Sequence, residues 1–165
     1  DYNEAATLLK SIRPYVTLFS SSGYINDMVD GSICVALGWS GDISIARQRA
    51  IDTKSGQKIE ALVPKKGGLL FFDTMAIPAD APRPNNAHLF INYILRPEVH
   101  ASLSNQVLYA NPNKEARKFV VPEVANNPAV FPTPAQLATM VPPKSMTNDT
   151  RRLQTRVFTA FKTGR

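Results

Sequence analysis

One cysteine, Cys34, and two histidines, His88 and His100, are all that 165 residues supply of the usual redox and soft-metal side chains. A single cysteine excludes an intrachain disulfide. Its seat in the apolar run Ile33-Cys34-Val35-Ala36-Leu37 predicts a buried, inert thiol, which leaves the redox compartment open. The two histidines have no cysteine or histidine partner at metal-ligand spacing, so no metal is expected. No stretch of 18 apolar residues is present, which excludes a membrane-spanning helix, and no signal-peptide pattern is visible. Walker A, G-x-S-x-G and H-E-x-x-H patterns are missing as well. Ser40, in Gly38-Trp39-Ser40-Gly41, lacks the flanking glycine spacing of a nucleophile elbow. With no recognisable nucleophile, metal set or phosphate loop, neither an enzyme nor a cofactor is expected.

What is present is an ordinary globular composition. Hydrophobic residues make up 44% of the chain, enough for one domain with its own core. Thirteen prolines favour loops, edges and short elements over a helical bundle. The net charge of +6 invites an anionic partner such as nucleic acid. The basic residues are scattered, however, as Lys54, Lys58, Lys65 and Lys66, then Arg117, Lys118, Arg151 and Arg152. No run reaches five and no aromatic stripe interleaves them, so they read as a solvated surface and no nucleic acid is expected.

Periodicity gives alternating helices and strands. Ala5, Leu8, Leu9 and Ile12 space as one helix face, stopped by Pro14. Tyr15 to Phe19 has strand character, and Ser20 to Gly23 is a turn opening a short helix over Tyr24 to Val29. Ile33 to Leu37 reads as a buried strand, followed by a helix over Ile43 to Ile51. Ile59 to Val63 is a further strand, and Leu69 to Ile77 gives two short strand pieces. Helices are predicted over Asn86 to Leu95, capped by Asn85 or Asn86, and over Glu98 to Leu103 after Pro97. A short helix at Ala135 to Met140 and a final one capped by Asp149 complete the order. This alternation supports an α/β fold.

Two segments place an aromatic ring beside a carboxylate. Trp39 precedes Asp42 by three residues just after a predicted strand, and Phe71 precedes Asp73 by two in another strand-end region. Ligands of open α/β sheets bind beyond the carboxyl ends of strands. A ring face attracts an ammonium group, worth up to about 2 kcal/mol when desolvated. A carboxylate adds charge-assisted hydrogen bonds. The bland reading stays beside this one: Trp39 and Phe71 as core, Asp42 as a helix cap and Asp73 as a turn residue.

The order of short motifs adds a resemblance. Tyr24-Ile25-Asn26-Asp27, Gly31 to Ala36, Gly38-Trp39-Ser40-Gly41-Asp42, Val63 to Gly68, Phe71-Phe72-Asp73, Met75 to Pro78, Phe90 to Pro97 and Tyr109-Ala110-Asn111 occur in sequence along essentially the whole chain. As an ordered set they resemble the C-terminal half of the periplasmic putrescine/spermidine-binding proteins of ABC importers. The resemblance implies an α/β fold like that of type II periplasmic binding proteins, with two lobes and a ligand cleft. It implies that residues 1–58 belong to the second lobe, 59–68 form an interlobe crossover, and 69–165 return to the first lobe and end in helices. The implied ligand site is Trp39, Asp42, Phe71 and Asp73, with Tyr109 near it, acting directly or through water. Implied partners are a linear polyamine, an ABC permease and the N-terminal half of the same protein, in the periplasm, after removal of a signal peptide from the precursor. Agmatine, an amino acid or a small peptide as ligand, or a role in interaction or signalling, are the alternatives.

Overall fold

A computed structural model describes residues 1–165. The chain divides into two compact units: residues 1–24 with 143–165, and residues 25–142.

In the first unit, α1 (Tyr2–Ile12) opens with Asp1, whose side chain accepts the Asn3 N–H at 2.8 Å. Its apolar stripe ends at a 3-10 turn, Arg13–Tyr15, because Pro14 has no N–H to continue the α ladder. α8 (Asn148–Thr163) packs against α1. Thr147 caps α8 by accepting the Thr150 N–H at 3.2 Å, so Asp149 lies in the first turn and is not the cap expected from the sequence. Phe19 stands edge-on to Phe161 at 5.1 Å and to Phe158 at 6.4 Å. The Arg13 guanidinium lies 5.4 Å from the Phe19 ring centre and donates to the carbonyls of Val16 and Lys162. Residues 15–19, expected as a strand, therefore form no ladder. Of these, Phe19 and the Val16 carbonyl are anchored by that packing, while Tyr15 is exposed.

The second unit carries α3 (Ser40–Asp52), α4 (Pro84–Ile94), α5 (Pro97–Val107), α6 (Pro122–Ala125) and α7 (Pro134–Leu137). α2 (Tyr24–Asp30) links into it. Proline occupies the first position of α4, α5, α6 and α7, where a missing N–H costs nothing and a fixed φ favours the helix. That is why α4 starts at Pro84, earlier than the expected Asn86. α7 starts one residue before the expected Ala135 and is closed by a reciprocal capping box between Thr133 and Gln136. α5 and a 3-10 segment, Glu115–Phe119, enclose a cluster of Ala101, Ala116, Val120, Val124 and Val130, with Leu108, Ala125 and Phe131 against it.

The expected strands do not form. Ile33–Leu37 and Ile59–Val63 have no ladder, and the only bridge in the chain is an isolated parallel one between Leu69 and Val141. There Leu70 N–H donates to Val141 O at 3.0 Å and Val141 N–H to Gly68 O at 2.9 Å. Gly67 makes this approach possible: its φ is +103°, and a Cβ on it would lie 1.9 Å from the Thr139 carbonyl oxygen. Within the 165 residues the architecture is helical, so these residues by themselves do not show the α/β fold expected from the sequence. The cause is physical. A helix satisfies its N–H and C=O groups within one segment, whereas a strand needs a neighbour. Cys34, expected to be buried, is exposed for the same reason, and its neighbours Val35 and Leu37 are 87% and 100% exposed.

Candidate functional site

The first turn of α3 is the structural centre of the site. Trp39 sits at the N-cap with an extended backbone (φ −76°, ψ 141°), and its carbonyl accepts the Ile43 N–H at 3.1 Å. Ser40, Gly41 and Asp42 follow as the first three helical residues. Asp42 is thus inside the helix, not its cap. A carboxylate there is favoured by the positive end of the helix dipole, worth about 0.3–1 kcal/mol when exposed. The helix is held by burial of Gly41, Ile43, Ser44, Ala46 and Ala50, which are spread around its circumference.

Two contacts join four of the five residues expected from the sequence. The Trp39 and Phe71 rings meet edge to face, 5.2 Å between centres and 77° between planes. Each ring remains about half exposed, at 49%, so the pair is not sealed in a core. Across the helix start, the Tyr109 hydroxyl donates to Asp42 Oδ1 at 2.9 Å. Trp39 and Asp42 are three residues apart in the same turn, which places the aromatic pair and the phenol–carboxylate pair at one helix end. Asp73, two residues beyond Phe71, is exposed to solvent.

Tyr109 is delivered by a loop with its own anchors. α5 ends at Leu108 in the left-handed conformation (φ 57°, ψ 33°), a costly region for a branched non-glycine residue. Leu108 N–H donates to Ser104 O at 3.0 Å, and Asn111 Nδ2 donates to Ser104 Oγ at 2.8 Å. Ser104 is buried, so both flanks of Tyr109 are tied to one interior position. Asn113 continues the fastening, with its N–H to Asn111 Oδ1 at 3.0 Å and its Nδ2 to Leu95 O at 2.9 Å. The two asparagines flanking Pro112 were the available signal, because Asn side chains make such local backbone turns.

The arrangement suits an organic cation. A half-exposed aromatic edge-to-face pair supplies negative ring faces and an apolar wall for methylenes. A carboxylate held by a phenol supplies a directed acceptor for an ammonium group.

A family model described as bacterial extracellular solute-binding protein matches residues 1–133. The chain is 43% identical, over 166 aligned positions, to the putrescine-binding periplasmic protein PotF of Escherichia coli strain K12, covering 100% of this chain and 45% of that protein. It is 37% identical over 161 positions to the putrescine-binding periplasmic protein SpuD of Pseudomonas aeruginosa strain UCBPP-PA14, covering 98% of this chain and 44% of that protein. A third relative, the spermidine/putrescine-binding periplasmic protein of Escherichia coli strain K12, is 36% identical over 131 positions, covering 79% and 35%. The chain therefore spans less than half the length of these curated relatives.

Proposed function

This chain belongs to the bacterial extracellular solute-binding proteins, and on that premise we propose that it forms about half of the ligand cleft of a carrier for a linear polyamine. The observation that carries the reading is the first turn of α3, where the half-exposed Trp39–Phe71 pair adjoins the Asp42 carboxylate. The rings line the carbon chain of the amine, Asp42 receives one ammonium end, and Asp73 receives the other. Tyr109 acts on Asp42. The names of the relatives, putrescine- and spermidine-binding, support the same ligand class.

The complete carrier is read as a two-lobed α/β protein. Segments 33–37 and 59–63 become sheet strands when the remainder of the protein supplies their neighbours. Residues 1–58 then contribute to one lobe, 59–68 cross between lobes, and 69–165 contribute to the other. In the periplasm the lobes close over the amine, a hinge motion of a known kind, and the loaded carrier delivers it to an ABC permease. This is a binding role with no bond made or broken in the ligand. No helix of the chain is long and apolar enough to cross a membrane.

Titration calorimetry of the full-length protein with putrescine tests the reading. Asp42→Asn and Asp73→Asn are each expected to weaken binding by about 2–5 kcal/mol, because each leaves a desolvated ammonium without its counter-charge. Unchanged affinity in both variants would remove the proposed site.

A further inference from the structure

Gly41 stands between Ser40 and Asp42 and is buried. A Cβ built on it would lie 2.0 Å from Tyr109 Cε2, 2.2 Å from Cδ2 and 2.5 Å from Cζ. These distances are far inside van der Waals contact, and the atoms belong to one edge of a ring that is fixed at both ends. Its hydroxyl is bonded to Asp42 Oδ1 at 2.9 Å. Its backbone is bracketed by the Leu108 and Asn111 bonds to Ser104. The ring cannot slide away from a side chain at position 41 without leaving Asp42 or breaking its anchors.

Nothing in the helix itself calls for glycine there. Alanine is the better helix former, and Gly41 is not among the residues with positive φ. The reason for the glycine lies across the site, in the ring that rests on it. Leu108 contributes from the other side: its left-handed backbone turns the chain out of α5 directly before Tyr109, and its side chain is held against the Ala101–Val130 cluster.

We propose that Gly41 is a positioning residue for cation recognition. Its missing side chain admits the Tyr109 ring onto the first turn of α3, and the phenol then holds the Asp42 carboxylate in one orientation before ligand arrives. Fixing an acceptor in advance removes the ordering that binding would otherwise demand. The inference rests on the polyamine reading of the site and adds a residue and a device to it.

A double-mutant cycle on the full-length protein tests it, using Gly41→Ala, Tyr109→Ala and the two combined, with putrescine affinity and ligand-free melting temperature as readouts. Gly41→Ala alone is expected to weaken putrescine binding by roughly tenfold or more, and to change affinity by less than about twofold when Tyr109→Ala is already present. The melting temperature should fall with Gly41→Ala alone and recover in the combined variant, where alanine has room and favours the helix. Equal losses of affinity with and without the Tyr109 ring would overturn the proposal. If Gly41→Ala does not fold, folding of the combined variant supports the proposal, and its failure overturns it. A wild-type protein that ignores putrescine would defeat the polyamine reading instead. The melting temperatures would still decide whether Gly41 and Tyr109 are coupled.

Discussion

Residues 97–131 and residues 33–37 are both rich in apolar side chains, yet they end in opposite states. In the first stretch, Ala101 and Ala116 are essentially inaccessible, and Val120, Val124 and Val130 are buried with them. In the second, Val35 and Leu37 stand in solvent. The difference is the range over which the backbone finds its partners. α5 and the turns after it close their hydrogen bonds within a few residues, and side chains such as Asn105 and Asn111 close the rest. Asn105 Oδ1, for instance, accepts the Val121 N–H at 3.0 Å. A strand has no local solution. An apolar run without a neighbouring strand remains exposed, however strongly its composition favours burial.

The largest expected effect breaks this comparison most sharply. If segment 33–37 is a central strand of the complete carrier, Leu37→Ala in the full-length protein should cost about 2–5 kcal/mol, the usual range for a buried leucine. Urea unfolding measures it. A loss below about 0.5 kcal/mol, the scale of ordinary surface substitutions, would mean that the run stays in solvent in the whole protein.

A smaller effect sharpens the other side. Asn111→Ala removes the donor to the buried Ser104 hydroxyl and one of the two brackets on Tyr109. It should destabilise the full-length protein by about 1–3 kcal/mol, the range for leaving a buried polar group without its partner. Because Tyr109 is loosened, putrescine affinity should fall in parallel. Lost stability with unaltered affinity would separate the loop anchor from the ligand site.

The same contrast governs how much could be read from the sequence. The helices were legible because their signals are local: Pro14 ends α1, Pro97 separates α4 from α5, and Leu153, Val157 and Phe161 mark the inner stripe of α8. Their edges were less so. Asp149 looked like the cap of α8, but Thr147 holds that place, because either residue type serves and only geometry chooses between them. The strands and the burial of Cys34 have no local signature of that kind, because an apolar run states a preference, not the presence of a neighbour. Trp39, Asp42, Phe71 and Tyr109 could be named through an ordered resemblance. Their pairing could not, since Asp42 and Tyr109 are 67 residues apart. Gly41 was legible only as a letter in a motif. The reason it is glycine is the Tyr109 ring that rests on it, and no local pattern encodes that contact.

Comparing putrescine with n-butylamine on the full-length protein by calorimetry asks the central question most directly. The two share a four-carbon chain and differ by one ammonium group. If Asp42 and Asp73 flank the Trp39–Phe71 pair as proposed, putrescine binds at least about 100-fold more tightly, since each desolvated charge pair is worth several kcal/mol. Equal affinity for the two amines, or no binding of either, would contradict the account.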